Sequence, residues 1–265
     1  MTAGTTATTA TPAPGGPGRI AVSRTGSVAT ITLGDGRRRN ALGEADWVRL
    51  DIEIARLAND RWVRAIVLVG RGATFSAGSD LTEWEAASAA DVERTLGAIE
   101  QCLRRIELAP VPVIAAVGGV AAGAGCQLAL ACDLAVLERS ARIGMPIARL
   151  GILASPAFVA RVSSRVGATL AADLYLTGRL LRADEADNAG LVSRVVPAGE
   201  SLPAAYELAT AIAAQPSAAI ASAKHALRLV TRTDPTAAGS EEVPTVAFDE
   251  FHTAVGAFVA HRTSA

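Results

Sequence analysis

Two runs of small residues are where this 265-residue chain could do chemistry through its backbone. The first is Phe75-Ser76-Ala77-Gly78-Ser79-Asp80-Leu81. The second is Gly118-Gly119-Val120-Ala121-Ala122-Gly123-Ala124-Gly125-Cys126-Gln127. Each follows an apolar run that reads as a buried strand, Ala65–Val69 and Val111–Val117. Loops after parallel strands lie at the carboxyl ends of a sheet, where open α/β sheets take ligands. Small side chains leave peptide N–H groups unshielded. A helix beginning near Ala124 would leave its first N–H groups without partners, at the positive end of its dipole. Two such turns facing each other would direct two donors at one oxygen. That is an oxyanion hole, suited to a thioester carbonyl becoming an enolate or a tetrahedral anion. Tight turns and close helix–strand packing would use the same glycines, and the residues alone leave both readings open. Neither run is a phosphate loop, because no Gly-Lys-Ser/Thr follows, and Gly119, Gly123 and Gly125 miss the dinucleotide spacing.

Composition removes several function classes. With 25 basic and 26 acidic residues the net charge is −1, so a nucleic-acid binder's electrostatic footprint is absent. Cys102, Cys126 and Cys132 form no CxxC pair, and no His/Cys cluster has zinc spacing, so no metal is expected. Three cysteines suit a reducing cytosol, and a cytoplasmic protein is expected. Residues 2–18 are only Thr, Ala, Gly and Pro, which excludes a signal peptide and reads as a disordered tail. No charge falls between Glu107 and Asp133, long enough for a membrane span. Pro110, Pro112, Gly118, Gly119, Gly123 and Gly125 interrupt that stretch, so it reads as strand, turn and short core helix, with no membrane partner.

The elements that must hold the turns follow from periodicity. Strands are expected at Ile20–Val22, Val28–Leu33, Ala65–Val69, Val111–Val117 and Leu134–Leu137. The last three barely alternate, as in strands covered on both faces. Trp47, Leu50, Ile54 and Leu57 step by three and four, as do Val92, Leu96, Ile99, Leu103 and Ile106. This alternation predicts right-handed βαβ units around a parallel sheet. Later helices are expected at Ala157–Val166, Thr169–Leu176, Leu202–Ala214 and Ala218–Val230. A last one carries Phe248, Phe251, Val255 and Phe258, facing its own core, a partner subunit or a ligand. The division is a tail over 1–18, an α/β core over 19–195 and a helical C-terminal region over 196–265.

The two runs, with others in the same order, resemble the crotonase (enoyl-CoA hydratase/isomerase) superfamily. The second signature continues through Leu128-Ala129-Leu130-Ala131-Cys132-Asp133. Arg39-Asn40-Ala41-Leu42, Pro146-Ile147-Ala148-Arg149-Leu150-Gly151, Leu176-Thr177-Gly178-Arg179, and Ala183–Ala186 through Gly190-Leu191-Val192 complete the series. The similarity covers about residues 18 to 230. It implies an α/β fold, a crotonase-like spiral of ββα units with a C-terminal helical trimerisation region, and hence a homotrimer or a dimer of trimers. It implies an enzyme acting on acyl-CoA thioesters, with coenzyme A as part of the substrate and no other cofactor. The oxyanion donors would be the N–H groups of Ser79 and Ala124. The CoA adenine would lie along Ala77, Gly78 and Leu81, with Asp80 holding the loop's geometry. Arg37, Arg39 and Lys224, the only lysine of the chain, would meet its phosphates or ribose.

The resemblance breaks where water-activating chemistry needs carboxylates. Hydratases of this family use two glutamates, and the matching positions here are Gln127 and Ile147. A glutamine has no useful basicity, and proton transfer by a placed side chain contributes about 10²–10⁴-fold. Weak or absent hydratase activity is therefore expected, and isomerisation lacks its base too. Three readings remain. One is chemistry that needs only the oxyanion hole, such as decarboxylation of a malonyl-type thioester. Another is a substitute base, with Glu83 and Glu85 nearest. The last is a non-catalytic acyl-CoA-binding or scaffold protein. The double substitution Gln127→Glu with Ile147→Glu is expected to recover some hydration.

Overall fold

The computed structural model describes residues 19–231 together with His252, Val255, Gly256 and Ala260. Among the described residues, nine strands form two sheets. They are β1 (Ile20–Thr25), β2 (Val28–Leu33), β3 (Ala65–Gly70), β4 (Val113–Val117), β5 (Val120–Ala122), β6 (Leu134–Glu138), β7 (Arg142–Gly144), β8 (Leu180–Arg182) and β9 (Arg194–Val196). The larger sheet runs β1-β2-β3-β4-β6-β9, antiparallel only in the β1–β2 hairpin. The smaller is β5-β7-β8. Within residues 19–231, seven helices accompany them: α1 (Glu44–Ala58), α2 (Ala89–Leu108), α3 (Ala124–Ala131), α4 (Pro156–Thr177), α5 (Ala183–Asn188), α6 (Ser201–Ala213) and α7 (Ser217–Thr231).

The lack of alternation in the central strands has its cause in two covered faces. In β4, Val113, Ala115 and Val117 join a core with α1, α2 and α3, whereas Ile114 and Ala116 turn to the opposite face. There Ala205 and Ala209 of α6 close over Val28, Ala65, Val67 and Val136. Thus α6, which the sequence places in a helical C-terminal region, roofs the central sheet. The predicted stripes of α1 and α2 are buried: Trp47, Leu50 and Ile54 are fully enclosed, as are Val92, Ile99, Leu103 and Ile106. Each such burial is worth about 2 kcal/mol. Ser88 starts α2 with a capping box. Its Oγ accepts the Asp91 N–H at 3.2 Å, and the Asp91 carboxylate accepts the Ser88 N–H at 2.9 Å.

Several boundaries differ from expectation. Val111 and Pro112 precede β4, because proline's missing N–H keeps it out of a central ladder. The two helices expected on either side of residue 167 are one run, α4, interrupted where Gly167 takes φ +74°. Four short strands leave no signal in the sequence: β5, β7, β8 and β9 span three residues each, too few to show a period. No described helix is long and apolar enough to cross a membrane, and the charge-free stretch resolves into β4, β5 and α3. The tail over residues 1–18 lies outside the described residues, as do Phe248, Phe251 and Phe258 of the last expected helix. Val255, also in that stripe, is helical and fully buried.

Candidate active site

The first turn is held open by pairing on both sides. On one side the Leu42 N–H donates to Gly78 O and the Asp80 N–H to Leu42 O, both at 2.8 Å. On the other the Ser76 N–H reaches Val120 O at 3.0 Å and the Ala122 N–H reaches Ser76 O at 3.1 Å. Every described peptide bond is trans, so the N–H of Ser79 points opposite to the carbonyl of Gly78. That carbonyl faces Leu42, which aims the Ser79 N–H away from Leu42. Ser79 N–H donates to no protein acceptor among the described residues.

The second turn delivers its donor from a helix start. Gly123, at φ +55°, follows β5 and caps α3, and its carbonyl takes the Gln127 N–H at 3.0 Å. Ala124 is then the first helical residue, and its N–H likewise has no protein acceptor among the described residues. The turns interlock closely. A β-carbon at Gly78 would stand 2.7 Å from Ala122 O and 3.0 Å from Ala124 N, and one at Gly125 would stand 2.3 Å from Ser76 O. Only glycine permits that approach.

Asp80 holds this frame together. It is 3% exposed and accepts from Arg38 at 3.0 and 3.2 Å, Arg19 at 3.2 Å and Thr82 Oγ1 at 2.7 Å. Burial pushes its carboxyl up, but hydrogen bonds from Thr82, Arg38 and Arg19 outweigh that and hold it below the ordinary carboxylate value. Arg38, which sequence reasoning passed over, is therefore the loop arginine bound to Asp80. Arg37 and Arg39 are exposed on the same loop, where Arg38, Arg39 and Asn40 all take positive φ of 47–54°. The buried Asn40 side chain ties that strained loop to Gly36 N–H, Arg71 O and Thr74 O. Ala77 joins it by an N–H to Arg39 O at 2.9 Å, and Leu81 is half-buried.

Gln127 lies one turn into α3 and is fully buried. Its Nε2 donates to Tyr175 Oη at 3.0 Å and Phe158 O at 3.2 Å. Its Oε1 accepts from Arg161 Nη1 at 2.8 Å. Arg161 in turn binds Glu107 at 2.6 Å and Glu100 at 3.0 Å. Burial pushes the Tyr175 hydroxyl up, which keeps it a neutral hydrogen-bond partner. Ile147 is 5% exposed, and its Cγ2 lies 3.8 Å from where a β-carbon of Gly123 would be, so the wall beside the Ala124 turn is apolar.

The structure corrects the expectation for Lys224 and commits Glu83 and Gln127 to other partners. Lys224 is not free to meet a ligand: its Nζ donates to Asp133 at 2.7 Å, Ile106 O at 3.0 Å and Val111 O at 3.2 Å, using all three of its donors. Glu83 accepts the Glu44 N–H at 3.1 Å at the start of α1, where a carboxylate is favoured as a cap rather than as a base. Gln127 is committed to buried partners and does not present a free amide to the turns. Glu85 is exposed. Of the histidines, His225 pairs with Arg228 and His252 with Ala87 O, and His261 lies outside the described residues.

Comparison with known proteins agrees with this architecture. The family model for enoyl-CoA hydratase/isomerase matches residues 23–254. A 2,3-dehydroadipyl-CoA hydratase of Escherichia coli is 38% identical over 79% of this chain and 81% of its own. A putative enoyl-CoA hydratase of Thermus thermophilus is 40% identical over 71% of this chain and 75% of its own. Among solved structures, an enoyl-CoA hydratase of Mycobacterium smegmatis superposes with a TM-score of 0.77 at 31% identity, covering 93% of this chain and 91% of that one. The fold, the paired glycine-rich turns and these matches together place the chain in the enoyl-CoA hydratase/isomerase family of the crotonase superfamily.

Proposed function

We propose that the protein processes acyl-CoA thioesters by stabilising a thioester enolate between the N–H groups of Ser79 and Ala124, with weak or no ordinary hydratase activity. What supports this is that two backbone donors without a protein acceptor among the described residues lie on interlocked turns, near the apolar Ile147 and a Gln127 already spent on Tyr175, Phe158 and Arg161. Removing one donor of such a pair typically costs about 10²–10³ in rate, so the pair supplies a substantial share of a barrier. Adding water across a double bond also needs a base to take water's proton. Neither Gln127 nor Ile147 provides one. CoA would lie along Ala77, Gly78 and Leu81, with Arg37 and Arg39 exposed beside it.

The apolar wall at Ile147 favours a second reading, decarboxylation of a malonyl-type thioester. The bond between the carboxylate and the α-carbon breaks, CO₂ leaves, and the electron pair becomes the enolate held by the two N–H groups. Solvent then protonates the α-carbon, and no side-chain base is required.

The test is a substrate panel on the purified full chain. Crotonyl-CoA hydration is followed by loss of conjugated-thioester absorbance, and malonyl- and methylmalonyl-CoA by mass spectrometry of products. Turnover of crotonyl-CoA comparable to ordinary hydratases overturns the proposal. Saturable acyl-CoA binding by calorimetry, with no product from any substrate, replaces the enzyme with a binder. Absence of CoA binding leaves an oligomeric scaffold.

A further inference from the structure

The far end of α3 opens on a cavity of about 370 Å³ between α2, α4 and α7. Ala124 begins α3, and Leu130, Ala131 and Cys132 at its other end line this cavity, roughly 10 Å away at 1.5 Å per residue. The walls are unusually cationic for a neutral protein. Among the described residues that line it, Arg104, Arg161, Arg165, Lys224 and Arg228 stand with Glu100, Glu107 and Asp133, an excess of two positive charges.

The excess falls on particular residues. Arg161 is neutralised by Glu100 and Glu107, and Lys224 by Asp133. Arg104, Arg165 and Arg228 have no carboxylate within 4.0 Å among the described residues. Arg165 is the most constrained of them. One of its Nη atoms donates to Leu130 O at 2.8 Å and Cys132 O at 2.9 Å, capping α3, and this fixes the guanidinium plane. Its Nε and other Nη find no protein partner among the described residues. They are also not among the sealed unpartnered atoms, which among the described residues are Arg19 Nε and Trp47 Nε1. Those donors therefore keep solvent access, on a residue that lines the cavity. Burial disfavours the Arg165 charge, which an anion in the cavity would relieve.

We propose that this cavity is a binding site for a phosphate-sized dianion, held by the fixed guanidinium of Arg165 with Arg104 and Arg228 at its rim. Three guanidiniums supply the planar, bidentate donors that phosphate oxygens match, and two unbalanced charges equal those of a phosphate or phosphomonoester. The site is separate from the Ser79–Ala124 turns and does not depend on what those turns bind.

Calorimetric titration of the full chain with inorganic phosphate, and separately with methyl phosphate, tests this at constant ionic strength in chloride. One saturable site is expected. It should weaken about tenfold or more in the double variant Arg104→Ala/Arg228→Ala, which removes only rim groups and spares the Arg165 cap. Binding of inorganic phosphate alone assigns the site to the free ion, and binding of both assigns it to a phosphomonoester; each supports the proposal. Absence of saturable binding, or equal binding by the double variant, overturns it. So does displacement of phosphate by coenzyme A, which would make the cavity part of the substrate site.

Discussion

Gly78 lies against Ala124: a β-carbon on Gly78 would come within 3.0 Å of the Ala124 nitrogen and 2.7 Å of Ala122 O. The residue that precedes one donor left without a protein acceptor among the described residues thus touches the turn that offers the other. Gly78 also takes φ +95°, a conformation that L side chains rarely adopt. Gly78→Ala must therefore push the two turns apart while straining the backbone. The expected outcome is a stability loss of about 1–3 kcal/mol by urea unfolding. Acyl-CoA affinity or turnover should fall further than stability explains, by about 10²-fold. Ser79→Ala keeps the backbone donor and is expected to change both by little. Equal damage from the two variants would show that the turn acts through its side chains.

Much of this frame was legible in the residues themselves. The glycine runs stand out as small residues after apolar strands, a pattern that tight packing shares, and the helix expected near Ala124 is α3. Periodicity likewise exposed α1 and α2, whose buried stripes are long enough to repeat. It was silent on β5, β7, β8 and β9. It was also silent on side-chain commitments made across long separations. That Gln127 is bonded to Arg161 and Tyr175, 34 and 48 residues away, leaves no trace in local sequence. Nor does the ion pair of Lys224 with Asp133, 91 residues away, which removes the lone lysine from the CoA contacts. Asp80 was readable as a holder of the loop, but its partner Arg38 was hidden between Arg37 and Arg39, which look identical in sequence.

The Gln127 network changes the expectation for restoring glutamates. In Gln127→Glu the new carboxylate would keep the hydrogen bond from Arg161 but turn a second acceptor toward Phe158 O, where Gln127 now donates. The guanidinium would also hold it ionised and weakly basic. Gln127→Glu combined with Ile147→Glu is therefore expected to gain less than the 10²–10⁴-fold of a placed base. Gln127→Leu, which abandons Arg161, Tyr175 and Phe158 O together, should cost about 2–3 kcal/mol. Crotonyl-CoA hydration and urea unfolding read the two effects separately. Full hydratase turnover in the double variant would mean that Arg161 leaves the carboxylate free.

Acidification should loosen the first turn through Asp80. Its folded carboxyl titrates below the ordinary value of 3.8, so its contribution to stability is complete above that value. It is lost progressively as pH falls from there through the folded value. Urea unfolding at pH 5 and pH 3 should show a drop that shrinks in Asp80→Asn. At pH 7 the same variant is expected to lose about 3 kcal/mol, because the partly buried Arg19 loses one of its carboxylates and Arg38 loses its own. An unchanged pH dependence in Asp80→Asn would assign the acid sensitivity to other carboxylates.

The cysteines give a readout of whether the core around α3 opens. Cys102, Cys126 and Cys132 are all buried and unpaired, and Cys126 and Cys132 sit within or at the end of α3. Burial pushes the Cys126 thiol up to about 12 and raises the other two as well. Thiolate, the reacting form, is thus scarce as well as enclosed. A thiol-specific reagent at pH 8 is expected to label none of the three in the native protein over minutes and all three in urea. If labelling tracks global unfolding, native-state rates should rise with urea along the same slope as the unfolding transition. Rapid labelling of Cys126 in the folded protein would instead show α3 detaching locally. That motion would carry the Ala124 N–H out of line with Ser79, so acyl-CoA binding should slow the labelling if both donors hold the ligand.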